Sequence, residues 1–246
     1  MPSAKQSIYY LVAINVLIFV VSYYFKISEF QTLALYFPLN EKFHYYQIVT
    51  HMFMHGGIAH LLFNMYALWS FGTPLEKSWQ TPKFLLFYFA TGIGAALLYS
   101  LANYYQFMLI SDQIMALGYS AENIQTMLTS GYVDNSLVNK IGEPRLIEFM
   151  SIFNSPVVGA SGAIYGILVA FAFSYPNAKL ALIFLPVPIS AKYFVPVIIA
   201  GDLFFGITKY SIGNIAHFAH VGGALTALLI IFLWKMRNNY TNKIDQ

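Results

Sequence analysis

The stretch Val157-Val158-Gly159-Ala160-Ser161-Gly162-Ala163-Ile164-Tyr165-Gly166-Ile167-Leu168-Val169-Ala170-Phe171-Ala172-Phe173 decides how this chain is read. It is an apolar run of membrane-helix length with a serine between glycines at its head. It stops near Tyr175-Pro176, where proline ends a helix. Polar groups in hydrocarbon cost free energy unless something offsets them, so they mark candidate functional sites. Two more polar clusters, His60…Asn64 and His217…His220, also stand in apolar segments. Together they point to serine–histidine hydrolysis inside a bilayer.

The rest of the chain supports a membrane setting. Of its 246 residues 58% are hydrophobic and only 9% charged, and the mean hydropathy is +0.60. Soluble domains carry about 25% charged residues. The expected fold is therefore all-α: a polytopic bundle of six transmembrane helices forming one domain over residues 1–246. The absence of cysteine removes disulfides, thiol nucleophiles and cysteine-based metal sites. The net charge of +3 contains no basic run that would hold nucleic acid. Lys5 precedes an apolar stretch without a small-residue cleavage site, so the first span reads as an uncleaved anchor.

The expected spans are residues 8–25, 48–71, 84–104, 157–173, 193–207 and 218–235. Residues 106–155 carry Asp112, Glu122, Asp134, Lys140, Glu143, Arg145 and Glu148, and read as an extramembrane insert with short amphipathic helices. Ser120 is an expected N-cap before Ile124, Met127 and Leu128. Pro186 and Pro188 mark a bent connection. Orientation follows from Lys and Arg. With both termini inside, the inner segments hold Lys5, Lys77, Lys83, Lys179, Lys192, Lys235, Arg237 and Lys243. The outer segments hold Lys26, Lys42, Lys140, Arg145 and Lys209. Ser161, His220 and the insert then lie toward the outer face, and His60 and Asn64 reach the same depth.

Ser161 is the candidate nucleophile. A hydroxyl needs a base to take its proton, and the first turn of the following helix offers unpaired N–H groups to a developing oxyanion. The competing reading is a small-residue contact between helices. His220 is the candidate base, because Gly222-Gly223 let its turn approach a partner helix; His217, one turn earlier, is the rival. His60 and Asn64 share a helix face and, with the Ser161 amide, could line an oxyanion hole; otherwise they join helices. His51 and His55 are also four apart, but a zinc site needs further ligands, and no metal site is expected. Glu76 and Asp202 read as lying elsewhere, so no aspartate accompanies the pair and a Ser–His dyad is expected. Tyr165, one turn after Ser161, either stacks on the His220 ring or packs the core.

These residues resemble the rhomboid family of intramembrane serine proteases, of bacterial type. The resemblance rests on Gly159-Ala160-Ser161-Gly162, His60-x-x-x-Asn64 and His220-x-x-Gly223, with His51-x-x-x-His55 and Asn64-Met65-Tyr66-Ala67-Leu68-Trp69 beside them. It covers about residues 45 to 230 and a matching first span. It implies a six-helix bundle with a water-filled cavity open to the outer side. It implies Ser161 as nucleophile, His220 as base, oxyanion contacts from His60, Asn64 and the Ser161 amide, Gly159 shaping the loop, and Tyr165 supporting His220. It implies no cofactor, and as partners the lipid bilayer and single-pass transmembrane substrates cut near the outer end of their span. A bacterial inner membrane, with cytoplasmic termini, is the expected location.

The chain departs from the pattern at three places. Many rhomboids carry a Trp-Arg pair in the first outer loop where this chain has Tyr46-Gln47, which leaves open how that loop is anchored. Ala227 stands where a glycine often follows Gly223, so a slight packing adjustment is expected. The insert is longer than the plain form and is expected to sit over the cavity mouth, as a lid or docking element. Two rival functions remain: a catalytically silent rhomboid-like protein that binds client helices, disfavoured by the presence of Ser161 and His220, and a transporter with histidine proton relays, disfavoured by the apolar inner halves of the spans.

Overall fold

The helix α4, Thr81–Ala116, spans 36 residues. That is about 54 Å at 1.5 Å per residue, well beyond a hydrocarbon core of about 30 Å. It therefore serves two regions. The computed structural model describes residues 7–25, 32–182, 185–208 and 216–244. Lys5, Lys26 and Lys209, three of the charges used for orientation, lie outside these.

The first region contains α1 (Ser7–Phe25), α3 (Ile58–Trp79), the first part of α4, α8 (Ser161–Ser174), α9 (Ala191–Thr208) and α10 (His217–Ile244). Among the described residues four helical stretches are long and apolar enough to cross a membrane: Ser7–Tyr24, Thr81–Ala116, Ala191–Thr208 and His217–Met236. α3 has the length but carries His60, Asn64, Glu76 and Lys77. α8 has only 14 residues, nine of them buried, and packs against α3, α4, α9 and α10. Its approach to α10 is unusually close: a Cβ on Gly223 would lie 1.8 Å from the Gly162 carbonyl oxygen. Ala227, on the same helix, is fully buried in this core.

Two expected boundaries need correction. The second span does not begin near residue 48. A short α2 (Gln47–Thr50) runs into a 3-10 turn (His51–Phe53), and α3 begins only at Ile58, after Gly56-Gly57. His51 and His55 are thus not on the helix that bears His60 and Asn64. The fourth span begins at Ser161, because Val157 is extended and exchanges two backbone hydrogen bonds with Leu35, at 2.9 and 2.8 Å.

The bend at Pro186 and Pro188 is an antiparallel hairpin of β1 (Lys179–Leu182) and β2 (Leu185–Ser190), with Lys179 opposite Ser190.

The second region is the insert. α4 continues unbroken through residue 106, so the insert opens with the last turns of this helix. Phe107, Ile110 and Ile114 form a buried stripe on this extension. Against it pack α5 (Ala121–Ser130), α6 (Asn135–Ile141) and α7 (Glu143–Asn154), supplying Ile124, Met127, Leu128, Leu137, Leu146, Phe149 and Phe153. Ser120 caps α5: its Oγ accepts from the Asn123 amide at 3.1 Å while Asn123 Oδ1 accepts from the Ser120 amide at 2.9 Å. Asp134 caps α6, accepting from the Leu137 amide at 2.8 Å and from the Tyr119 hydroxyl at 2.5 Å. The Tyr119 bond, then the amide, draws the Asp134 carboxyl below its ordinary range.

Candidate active site

Ser161 is the first residue of α8, so its side chain and the free N–H groups of the first turn share one spot. The loop before it is held in place. The Gly159 amide donates to the His51 carbonyl at 2.9 Å. Gly159 has φ +130, a conformation that favours glycine, and a Cβ there would lie 2.9 Å from the His60 ring. His60 therefore packs directly under the turn that presents the serine.

The first loop is tied to the segment before this turn through the Leu35–Val157 bridge, and to the end of α7 through Asn40, whose Nδ2 donates to the Phe153 carbonyl at 2.7 Å. Gln47 organises that loop. Fully buried, it accepts on Oε1 from the Tyr36 and His44 amides (3.3 and 3.1 Å) and donates from Nε2 to the Thr32 and Lys42 carbonyls (2.9 and 2.8 Å). Where the resemblance places Trp-Arg, a neutral amide with its hydrogen-bonding capacity filled does the anchoring.

Ser161 Oγ lies 2.9 Å from His220 Nε2. The Tyr165 ring stacks on the His220 ring, centroids 4.2 Å apart and 8° from parallel. The expectation that no aspartate accompanies the pair is overturned. Asp202 Oδ1 lies 3.1 Å from His220 Nδ1 and 2.5 Å from His217 Nδ1, and the Tyr165 hydroxyl donates to Oδ2. Asp202 comes from α9, which packs beside both α8 and α10. A signal for it was present: it is an acid in an otherwise apolar helix, the same property that singles out the histidines. Glu76, by contrast, does lie away from the site. It accepts from the Ser7 amide and hydroxyl (2.6 and 2.7 Å), the Ile8 amide (3.3 Å) and the Thr81 hydroxyl (2.7 Å), capping α1 and the start of α4.

His60, Asn64, Ser161, Tyr165, His217 and His220 all line one cavity of about 1850 Å³. The cavity continues between α3, with Phe63, Tyr66 and Phe71, and α9, with Phe194, Ile198 and Phe205. The insert forms another wall through Pro144, Arg145, Ile147, Glu148, Ser151 and Ile152 of α7. Asn64 Nδ2 donates to the His60 carbonyl at 2.7 Å, leaving its second N–H.

His51 and His55 do not form a pair. His51 Nδ1 donates to the Gln47 carbonyl at 2.8 Å, and His55 packs edge-on against His60 at 5.1 Å. The grouping with metal-ligand geometry among the described residues is Asp202, His217 and His220, whose ligand atoms lie within 4.8 Å of one another. Hydrogen bonds among its own members account for that closeness.

Residues 42–237 match the family model of the rhomboid domain. The chain belongs to the rhomboid family. It is 28% identical over 182 residues to "Rhomboid protein 1, mitochondrial" of Saccharomyces cerevisiae, covering 74% of this chain and 40% of that protein. It is 26% identical over 236 residues to "Presenilin-associated rhomboid-like protein, mitochondrial" of Homo sapiens, covering 92% and 49%. With "Rhomboid protease GluP" of Bacillus subtilis it shares 43% identity over 53 residues, covering 22% and 10%. The chain thus spans half or less of the length of these relatives. Mitochondrial proteins stand among them beside a bacterial one, so they lend a bacterial inner membrane no particular support.

Proposed function

We propose that this chain is an intramembrane serine endopeptidase that hydrolyses peptide bonds in or near transmembrane helices. The observation that carries the reading is the 2.9 Å contact of Ser161 Oγ with His220 Nε2 inside a cavity that extends between α3 and α9. A relative of Bacillus subtilis bearing the name protease is consistent with it.

The chemistry follows from the geometry. Ser161 Oγ attacks the substrate carbonyl carbon as His220 Nε2 takes its proton. The oxyanion forms beside the first-turn N–H groups of α8, the His60 ring and the second N–H of Asn64. The carbon–nitrogen bond then breaks and His220 gives its proton to the leaving amine. Water adds to the acyl carbon as His220 accepts its proton; the carbon–Oγ bond then breaks, His220 returns the proton to Ser161 Oγ, and the acid product leaves with serine and base restored. A helical carbonyl is already hydrogen-bonded, so the client must unwind locally, and glycine or proline near the cut eases this.

In this reading the chain forms a single six-span domain, α1, α3, α4, α8, α9 and α10, with the insert included. The insert and the cavity mouth lie at one membrane face and both termini at the other. Transmembrane clients enter through the cleft between α3 and α9. The test is cleavage of a reporter membrane helix in liposomes. Wild type should release product, and Ser161→Ala and His220→Ala, both folded, should reduce the rate by at least about 10³-fold. Undiminished cleavage by Ser161→Ala would remove Ser161 as nucleophile. Binding of the reporter without cleavage by wild type would favour the silent client-binding protein.

A further inference from the structure

We propose that Asp202 is a positioning residue that sets the protonation pattern of His220, so that the reaction runs on a Ser161–His220–Asp202 triad instead of an isolated pair. This rests on the serine-protease reading above.

The argument begins with the carboxylate's surroundings. Asp202 is only 8% exposed in a helix whose other buried residues are Ala191 and Val195. An acid in such a place needs several donors to offset its lost hydration. Glu76, the comparable buried acid, takes backbone amides and hydroxyls at helix ends, which is an architectural role. The hydrogen bonds that Asp202 accepts come from three side chains, Tyr165, His217 and His220, each of which lines the cavity beside Ser161. Nothing in stapling α9 to its neighbours requires the donors to be these three.

The tautomer of His220 then follows. A carboxylate only accepts, so the Nδ1 atoms of His217 and His220 that face Oδ1 both carry hydrogen. In neutral His220 the proton on Nδ1 leaves Nε2 bare, and Nε2 is the atom 2.9 Å from Ser161 Oγ. The ring is thus held in the one form able to take the serine proton. Stacking on Tyr165 fixes the ring plane, and the Tyr165 hydroxyl fixes the second carboxylate oxygen. When His220 becomes imidazolium, its Nδ1–H already points at a negative charge 3.1 Å away. In serine proteases of other folds, replacing the corresponding aspartate by asparagine drops turnover by about 10⁴-fold through the wrong tautomer.

The experiment is Asp202→Asn in liposomes, compared with wild type, Ser161→Ala and His220→Ala. Asparagine keeps the size but can turn a donor toward Nδ1. The expected result is a fall in kcat of roughly 10²- to 10⁴-fold with KM within about threefold, and a parallel fall in the labelling rate of Ser161 by a fluorophosphonate. A folded Asp202→Asn with wild-type kcat, alongside inactive Ser161→Ala and His220→Ala, would overturn the Asp202 proposal and leave the protease reading standing. Cleavage by Ser161→Ala would overturn the reading beneath it. A second measurement needs no change at Asp202: nitrogen-15 spectra of histidine-labelled wild type in liposomes, with the His220 signal assigned through His220→Gln. Protonated Nδ1 and bare Nε2 in the neutral ring are expected, and the reverse tautomer would overturn the proposal.

Discussion

In the bundle, α8 and α10 meet where side chains are missing: Gly223 faces the Gly162 carbonyl with no room for a Cβ. In the insert, α4 and α7 meet where side chains are largest: the Phe107 and Phe149 rings stack with centroids 4.5 Å apart, and Phe37 and Phe153 close around them. The difference fits the proposed reading, in which the bundle lies in lipid and the insert in water. Lipid gives helices no hydrophobic reason to associate, so close backbone packing and a few filled hydrogen bonds hold them. The helices of the insert are two-faced and are held by apolar burial and by caps, which suits the extramembrane place proposed for it. One region should therefore fail when atoms are added, the other when atoms are removed.

The largest effect is expected from adding to the bundle. Gly223→Val places its branch against the Gly162 carbonyl, and neither backbone can yield without parting α8 from α10. Reporter cleavage should become undetectable, and the protein should lose its monodisperse peak on size exclusion in detergent. A folded, active variant would break the comparison at its strongest point.

Removal from the insert comes next. Phe149→Ala empties a fully buried site and should cost about 3–5 kcal/mol of local stability. Amide exchange should accelerate across α5 to α7 and the last turns of α4 while the amides of α8 and α10 stay protected. Equal loss of protection in both regions would show one cooperative unit in place of two.

The smallest effect is at a cap. Asp134 is held below its ordinary range first by the Tyr119 hydroxyl. An acid with a lowered folded value lends stability above its unfolded value and loses it as pH falls through the folded one. Exchange at the Leu137 amide should therefore rise only below the usual carboxylate range in wild type. In Tyr119→Phe the rise should begin at a higher pH. Identical profiles would mean that the hydroxyl does not hold the cap.

The same contrast decides what could be read from sequence. α1, α9 and α10 are long apolar runs, and Ser120 shows its cap in four residues. Ser161, His60 and His220 stood out because each is polar in an apolar context. The start of α3 was obscured because apolar residues continue through Met52, Phe53 and Met54, although Gly56-Gly57 mark the break. That α4 runs on past residue 106 is hidden in the sequence because its polarity there belongs to one face only, while Phe107, Ile110 and Ile114 bury the other. Gln47 carries no local sign, since its four partners are backbone groups spread over residues 32–44. Asp202 stands 41 residues from Ser161 and 18 from His220, and only the packing of α9 against α8 and α10 brings the three together.

α9 is the helix least sunk into the bundle, with three buried residues among its eighteen. It forms one side of the cleft through Phe194, Ile198 and Phe205, and it also carries Asp202. In the proposed reading, entry and chemistry thus share one helix. A client that wedged α9 outward on its way in would carry the carboxylate away from the imidazole, and the base would rearm only when the helix swung back behind a client already seated. Such a protease would be safest at the moment its door stands open.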